Sequence, residues 1–192
     1  MRRRPIIALV AVLVAAVVVV GLVQSGGGDS DTLKPLSAAE VQRRVAGAPA
    51  PIAAVHRQGN QILKGGKPAL DARLAALKGT PVVLNVWGAW CDPCREEFPI
   101  FQHVSVEHAK TVAFLGIDTT DPIDNATAFL RKIPVPYPSY QDLKGTLASG
   151  FGLRGTPSTI FYDRAGKQTL HQGVYRSKAD LESDIRRYAT GA

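Results

Sequence analysis

The 192-residue sequence predicts an α/β domain, a central mixed sheet flanked by helices, with an N-terminal transmembrane helix and a helical extension ahead of it. Three observations carry this. β-branched runs alternate with segments of helical period through the C-terminal half of the chain. The last two runs are joined by a tight "RAGK" turn, so a parallel βαβ unit is followed by a hairpin. Eighteen consecutive apolar residues, Ile6 to Val23, follow Arg2, Arg3 and Arg4.

The elements follow in order. As a helix the Ile6–Val23 run is about 27 Å long, close to the hydrocarbon thickness of a bilayer. The arginines before it keep the N-terminus in the cytoplasm and send the rest of the chain outside. A cleaved signal peptide is the competing reading, but the run ends "VGLVQSGGGDSD" with no convincing small-x-small site and no cysteine for lipidation. We therefore read residues 1–23 as an uncleaved anchor in the cell membrane, with the folded part on the extracytoplasmic side in either case. Residues 24–36 form a flexible linker, and 37–77 a helical N-terminal extension. In the extension, Ser37 with Glu40 makes a capping-box pattern, and the helix stops near Gly47. Ile52, Val55, Ile62 and Leu63 fit a helical period, "LKGGKP" is a loop, and Leu70, Leu74 and Leu77 mark a further helix closed by Gly79 and Pro81.

Residues 78–192 make the α/β domain. "PVVLNVW" (81–87) suits a buried strand, Cys94 to about Ala109 a helix, and "TVAFLGID" (111–118) a second strand. Asn125–Lys132 is a helix ended by Pro134, Pro136 and Pro138. "STIFYD" (158–163) and "QTLHQGVY" (168–175) are the hairpin strands, and Ser177 caps a last helix striped by Leu181, Ile185 and Tyr188. No internal repeat is visible.

Net charge is +7. Arg2, Arg3, Arg4 and Lys34 against Asp29 and Asp31 place +2 of it before the domain, leaving +5. No basic run with interleaved aromatics stands out, which argues against nucleic-acid binding.

The chemistry sits in "AWCDPCREEFP" (89–99), which holds Cys91 and Cys94, the only two cysteines. As a structural staple, a bridge across four residues gains only about 2 kcal/mol on the chain-entropy model. As a metal site the pair is half a tetrahedron, with no second cysteine pair, and His103 and His108 are out of phase on their predicted helix. As a redox reagent it has a mechanism. Cys91 sits just before a helix, where free N–H groups and the macrodipole stabilise a thiolate. Pro93 fits the first turn, where its missing donor goes unused. Cys94, one turn on, reaches Cys91 and resolves a mixed disulfide. We adopt the reagent reading, with no metal and no cofactor beyond a Cys91–Cys94 redox disulfide.

A strand, CxxC, helix, strand, helix, hairpin and final helix describe the thioredoxin arrangement. "VVLNVWGAWCDPCREEFP", with "VAFLGID" and "GTPSTIFYDRAGK" downstream, resembles the membrane-anchored TlpA/ResA/CcmG branch of thioredoxin-fold thiol-disulfide oxidoreductases, over roughly Lys78 to Tyr188. Asn85 stands where cytoplasmic thioredoxins carry a buried acid. The resemblance implies Cys91 as nucleophile, Cys94 as resolving cysteine and Glu97 as the acid that tunes thiol protonation. It also implies a substrate-binding rim of Trp90, Asp92, Pro93, Thr156 and a cis Pro157. Each has a plainer reading: Glu97 as a first-turn acid like Glu96, and Pro157 as a turn proline. His103, His108 and His171 read as surface or packing residues, and Trp87 as core. The helical reading of 37–77 departs from the strand hairpin of many relatives.

Negative charge from Asp92 and Glu97 opposes Cys91 ionisation, which points to a reductant of exported-protein disulfides, or a weakly oxidising enzyme, working against an oxidising exterior. The resemblance implies recharging by a transmembrane thiol-electron carrier of the CcdA/DsbD type, and apocytochrome c as the family's best-known client. The chain is expected to act as a monomer. Three alternatives remain: a disulfide-forming oxidase, a peroxidase of the peroxiredoxin type, disfavoured because its nucleophile sits in a different motif, and a non-catalytic envelope domain with a structural disulfide.

Overall fold

Gly116 marks the tightest packing in the sheet: a Cβ there would collide with the Ser139 side chain and come within 3.1 Å of the Trp87 indole nitrogen. Around this point the computed structural model, which describes residues 33–191, arranges six strands in the order β1-β4-β3-β2-β5-β6. The predicted anchor, residues 1–23, and most of the linker lie outside the described residues. Among the described residues no helix is long and apolar enough to cross a membrane.

From Lys34 onward the chain forms one compact unit. The extension begins with α1 (Ala38–Arg44), whose N-cap Ser37 accepts from the Glu40 N–H. Val41 and Val45 pack with Val106 and Ala109 of the later helix α4, joined by Leu36. Helix α2 (Ala50–His56) opens with Pro51 in its first turn and buries Ile52 and Val55. The expected helical continuation to Leu63 does not occur. Asn60 turns the chain at a positive φ of 65°, with its N–H on the Tyr137 carbonyl and its Oδ1 accepting from Val135 N. Ile62 and Leu63 are thereby delivered to the sheet edge as β1, parallel to Ser139 and Tyr140. Helix α3 (Gly66–Ala76) also starts earlier than expected, taking Lys67 and Pro68 into its first turn, where proline costs no hydrogen bond.

The core strands β2 (Val82–Trp87) and β3 (Ala113–Thr119) are parallel and buried on both faces, which is why they read as continuous apolar runs. Helix α4 (Asp92–Glu107) and helix α5 (Ile123–Lys132) make successive crossovers in the same direction across the sheet, and right-handed connections put both on one face. Trp87, Phe98 and Phe129 meet there, with ring centroids 4.8 to 5.5 Å apart.

Besides β1, two further elements were not anticipated. Strand β4 (Ser139–Asp142) pairs with both β1 and β3, and α6 (Thr146–Ser149) follows it. The sequence "SYQD" has no apolar run; its place comes from having partners on both sides. The expected hairpin forms: β5 (Ser158–Tyr162) pairs antiparallel with β2, and β6 (Gln168–Gln172) pairs antiparallel with β5. Helix α7 (Lys178–Asp184), capped by Ser177, widens into a π-helical turn over Ile185–Thr190. The strands β2, β3 and β4 all end at the same rim, and the two cysteines lie there.

Candidate active site

β2 ends at Trp87, and Gly88–Trp90 carry the chain to the start of α4. Cys91 is the N-cap of this helix: its Sγ accepts the Cys94 N–H at 3.2 Å, and its carbonyl accepts Arg95 N–H. Cys91 and Cys94 are joined as a disulfide, with Sγ–Sγ 1.99 Å. Cys91 keeps 4% of its surface in solvent and Cys94 none, so the first sulfur is the outer one. Among the described residues no group of histidines, cysteines and acids is placed to hold a metal ion.

Glu97 is fully buried, one turn beyond Cys94 on the same face of α4. Asn85 Nδ2 donates to its Oε1 and Tyr175 N–H to its Oε2, both at 3.0 Å. Burial pushes its carboxyl up, the two hydrogen bonds pull it back, and it settles at about 7. Its neighbour Glu96 is exposed. The first-turn acid of α4 is Asp92, so the first-turn reading fits neither glutamate, and burial sets Glu97 apart from Glu96.

Trp90 lies against the rim, 55% exposed, its indole N–H donating to the Thr119 carbonyl at 3.1 Å. Pro93 sits in the first turn of α4. Asp92 projects into solvent and pairs with Arg95 at 3.3 Å. An exposed, paired carboxylate exerts a screened field, so any negative influence on Cys91 falls mainly to Glu97. The Thr156–Pro157 peptide bond is cis. Since Val86 faces Ser158 across β2 and β5, Pro157 lies beside the end of β2 that leads to the cysteines. The fold thus gathers Trp90, Cys91, Cys94, Glu97, Thr156 and Pro157 at one end of the sheet and leaves Asp92 facing outward. His103 and His108 lie further along the chain: His103 contacts the Lys34 carbonyl, and burial holds the His108 imidazole below its usual range.

Two features were not singled out from sequence. Asn85 was read only as a mark of the branch, and it is the donor that fixes Glu97; the signal was a lone amide inside "VVLNVW". The second is an acid pair under the reactive loop. Asp118, at the end of β3 and opposite Trp87, is fully buried, and neither of its carboxylate oxygens has a hydrogen-bond partner. Asp121, also buried, accepts the Ala89 N–H through Oδ2 at 2.5 Å and leaves Oδ1 unpartnered. Burial first, then the charge of Asp121 and of Asp142, pushes Asp118 up to about 8. Two carboxylates offer each other only acceptors, whereas a proton held between them makes a hydrogen bond.

Comparison with known proteins agrees with this geometry. The AhpC/TSA family model matches residues 61–169. The thiol:disulfide interchange protein DsbE of Pseudomonas aeruginosa is 38% identical over 102 residues, 52% of this chain and 54% of that protein. The thiol-disulfide oxidoreductase ResA of Geobacillus thermodenitrificans is 29% identical over 98 residues, 50% of this chain and 56% of that one. The chain thus spans about half the length of these curated relatives. Among solved structures, MTB dsbF, in its mixed oxidized and reduced forms, superposes with a TM-score of 0.55 at 28% identity, covering 58% of this chain and 83% of that one.

Proposed function

The chain belongs to the AhpC/TSA family, and from that premise we propose that it is an extracytoplasmic thiol-disulfide oxidoreductase that reduces disulfides in exported proteins. The observation that carries the reading is the Cys91–Cys94 disulfide at the N-terminus of α4, outer sulfur first, with buried Glu97 one turn below the inner sulfur.

In the dithiol form, the helix N-terminus stabilises the Cys91 thiolate. It attacks one sulfur of a client disulfide, forming a mixed disulfide and releasing the other client sulfur as a thiolate. Cys94 gives up its proton, with Glu97 as the adjacent buried acceptor, and attacks Cys91 Sγ. The Cys91–Cys94 disulfide forms, the second client sulfur leaves, and two electrons have passed to the client. The cis Thr156–Pro157 segment offers its backbone to the client strand beside the cysteines. The reaction needs no group beyond the disulfide itself.

A carboxyl titrating near neutrality beside the dithiol places negative charge where the thiolate would form, which supports a reductant rather than a strong oxidant. A reductant outside the cytoplasm needs an electron supply, and a transmembrane thiol carrier of the CcdA/DsbD type is the proposed source. Apocytochrome c is the proposed client, and the arginine-flanked apolar run of residues 6–23 the proposed anchor.

The test is turnover of a small disulfide with a thiol reductant. Cys91→Ser abolishes it, and Cys94→Ser halts at mixed disulfides that can be isolated with their clients. A reduction potential as high as about −120 mV, in the range of strong periplasmic oxidants, would reverse the assigned direction.

A further inference from the structure

Among the described residues, Trp90 and Leu143 are the only large apolar side chains that stand out in solvent, 55% and 59% exposed. Trp90 does so at the reactive rim. It also forms one wall of a groove of about 490 Å³ that runs between the start of α4 and the outer side of α5. Phe129 of α5 and Ile133 just past its end line it with Trp90, and Arg95 and Lys132 supply two cations. Phe129 packs against Trp87 and Phe98, so the apolar lining is held by the core rather than hung on a loop. No acidic residue lines the groove. Among the described residues, the carboxylate that pairs with Arg95 is Asp92, at 3.3 Å and open to water.

From this we infer that the groove is a client-docking site that selects an acidic residue next to an apolar one in the client chain flanking the reactive disulfide. The inference rests on the oxidoreductase reading and adds a specificity to it. The geometry is that of a client strand which crosses Cys91, turns over Trp90 and lays an apolar side chain against Phe129 and Ile133. The next carboxylate then meets Lys132 and Arg95. Two partly exposed ion pairs of this kind are worth about five-fold in kcat/KM, carried mainly by KM.

The experiment uses the reduced full-length protein and three substrates: bis(2-hydroxyethyl) disulfide, and two mixed-disulfide peptides that differ only in carrying Leu-Glu or Leu-Lys after the cysteine. The wild type should favour the Leu-Glu peptide by about five-fold. The ratio should fall to about two in Lys132→Gln, which leaves Arg95 in place, and to about one in Lys132→Glu, where the new carboxylate offsets Arg95. Each ratio is internal to one protein, so a partial loss of folded material does not alter it. Equal rates for the two peptides, or a ratio that Lys132→Glu leaves unchanged, overturn the groove while leaving the oxidoreductase reading standing. No turnover of any of the three disulfides, the hydroxyethyl one included, overturns both.

Discussion

Two buried acids flank the reactive loop, and the fold treats them differently. Glu97 hangs from α4 with both oxygens occupied, one by the Asn85 amide and one by the Tyr175 N–H. Asp118 lies at the end of β3 with both oxygens unpartnered and Asp121 beside it. Burial raises both, but hydrogen bonds hold Glu97 at about 7, whereas neighbouring negative charge lifts Asp118 to about 8. Burial alone thus does not set the proton affinity of a carboxyl; the dipoles and charges packed with it do. Glu97 is arranged to change protonation near neutrality beside the dithiol. Asp118 is arranged to stay protonated under the loop that leads to it.

The sharpest way to break this contrast is truncation. Glu97→Ala opens a cavity and strands two buried donors, and should cost about 3 kcal/mol in denaturant unfolding at neutral pH. Glu97→Gln keeps the shape but should remove an inflection near pH 7 from the turnover profile. A full inflection in Glu97→Gln would show that another group supplies it.

The second prediction concerns the other acid. Both carboxyls are raised in the folded state, so each contributes stability at low pH that is lost as pH rises through its folded value. For Glu97 the window runs from the ordinary carboxylate value of 4.5 to about 7, and for Asp118 from 3.8 to about 8. Asp118→Asn removes the wider window. Its melting temperature should fall less between pH 5 and pH 9, leaving it about 5 °C above the wild type at the alkaline end. If Asp118→Asn is instead destabilised at pH 9 as Glu97→Ala is, the two acids are not different in kind. The smallest effect belongs to Asp92. Exposed and paired with Arg95, it should shift stability by less than about 0.5 kcal/mol on replacement by Asn, with little change in reduction potential.

These acids also mark how far the sequence could be read. Cys91, Pro93 and Cys94 were legible because helix-start chemistry is local: spacing, a proline without a donor and an N-cap lie within four residues. The β2 and β3 strands were legible because burial on both faces leaves an apolar run. Glu97 was picked out, but its environment was not, since its donors lie 12 and 78 residues away in the chain. Asp118 and Asp121 were visible only as acids after a strand, and nothing in "GIDTTD" tells a solvated end from a buried pair. Strands β1 and β4 were missed for the same reason. Ile62–Leu63 is only two residues long and Ser139–Asp142 has no apolar run, so both become strands through their pairing, β1 with β4 and β4 with β3.

Gln102, midway along α4, accepts the Leu36 N–H and donates to the carbonyls of Leu36 and Pro134. His103 holds the Lys34 carbonyl beside it. This clasp fixes where the chain enters the domain: on the flank of the helix that carries the disulfide, about 16 Å along its axis from Cys91. Under the proposed anchoring through residues 6–23, this attachment point sets the working radius of the reactive sulfur as surely as the leash length does. Opening the clasp by changing Gln102 would let out more line without adding a residue.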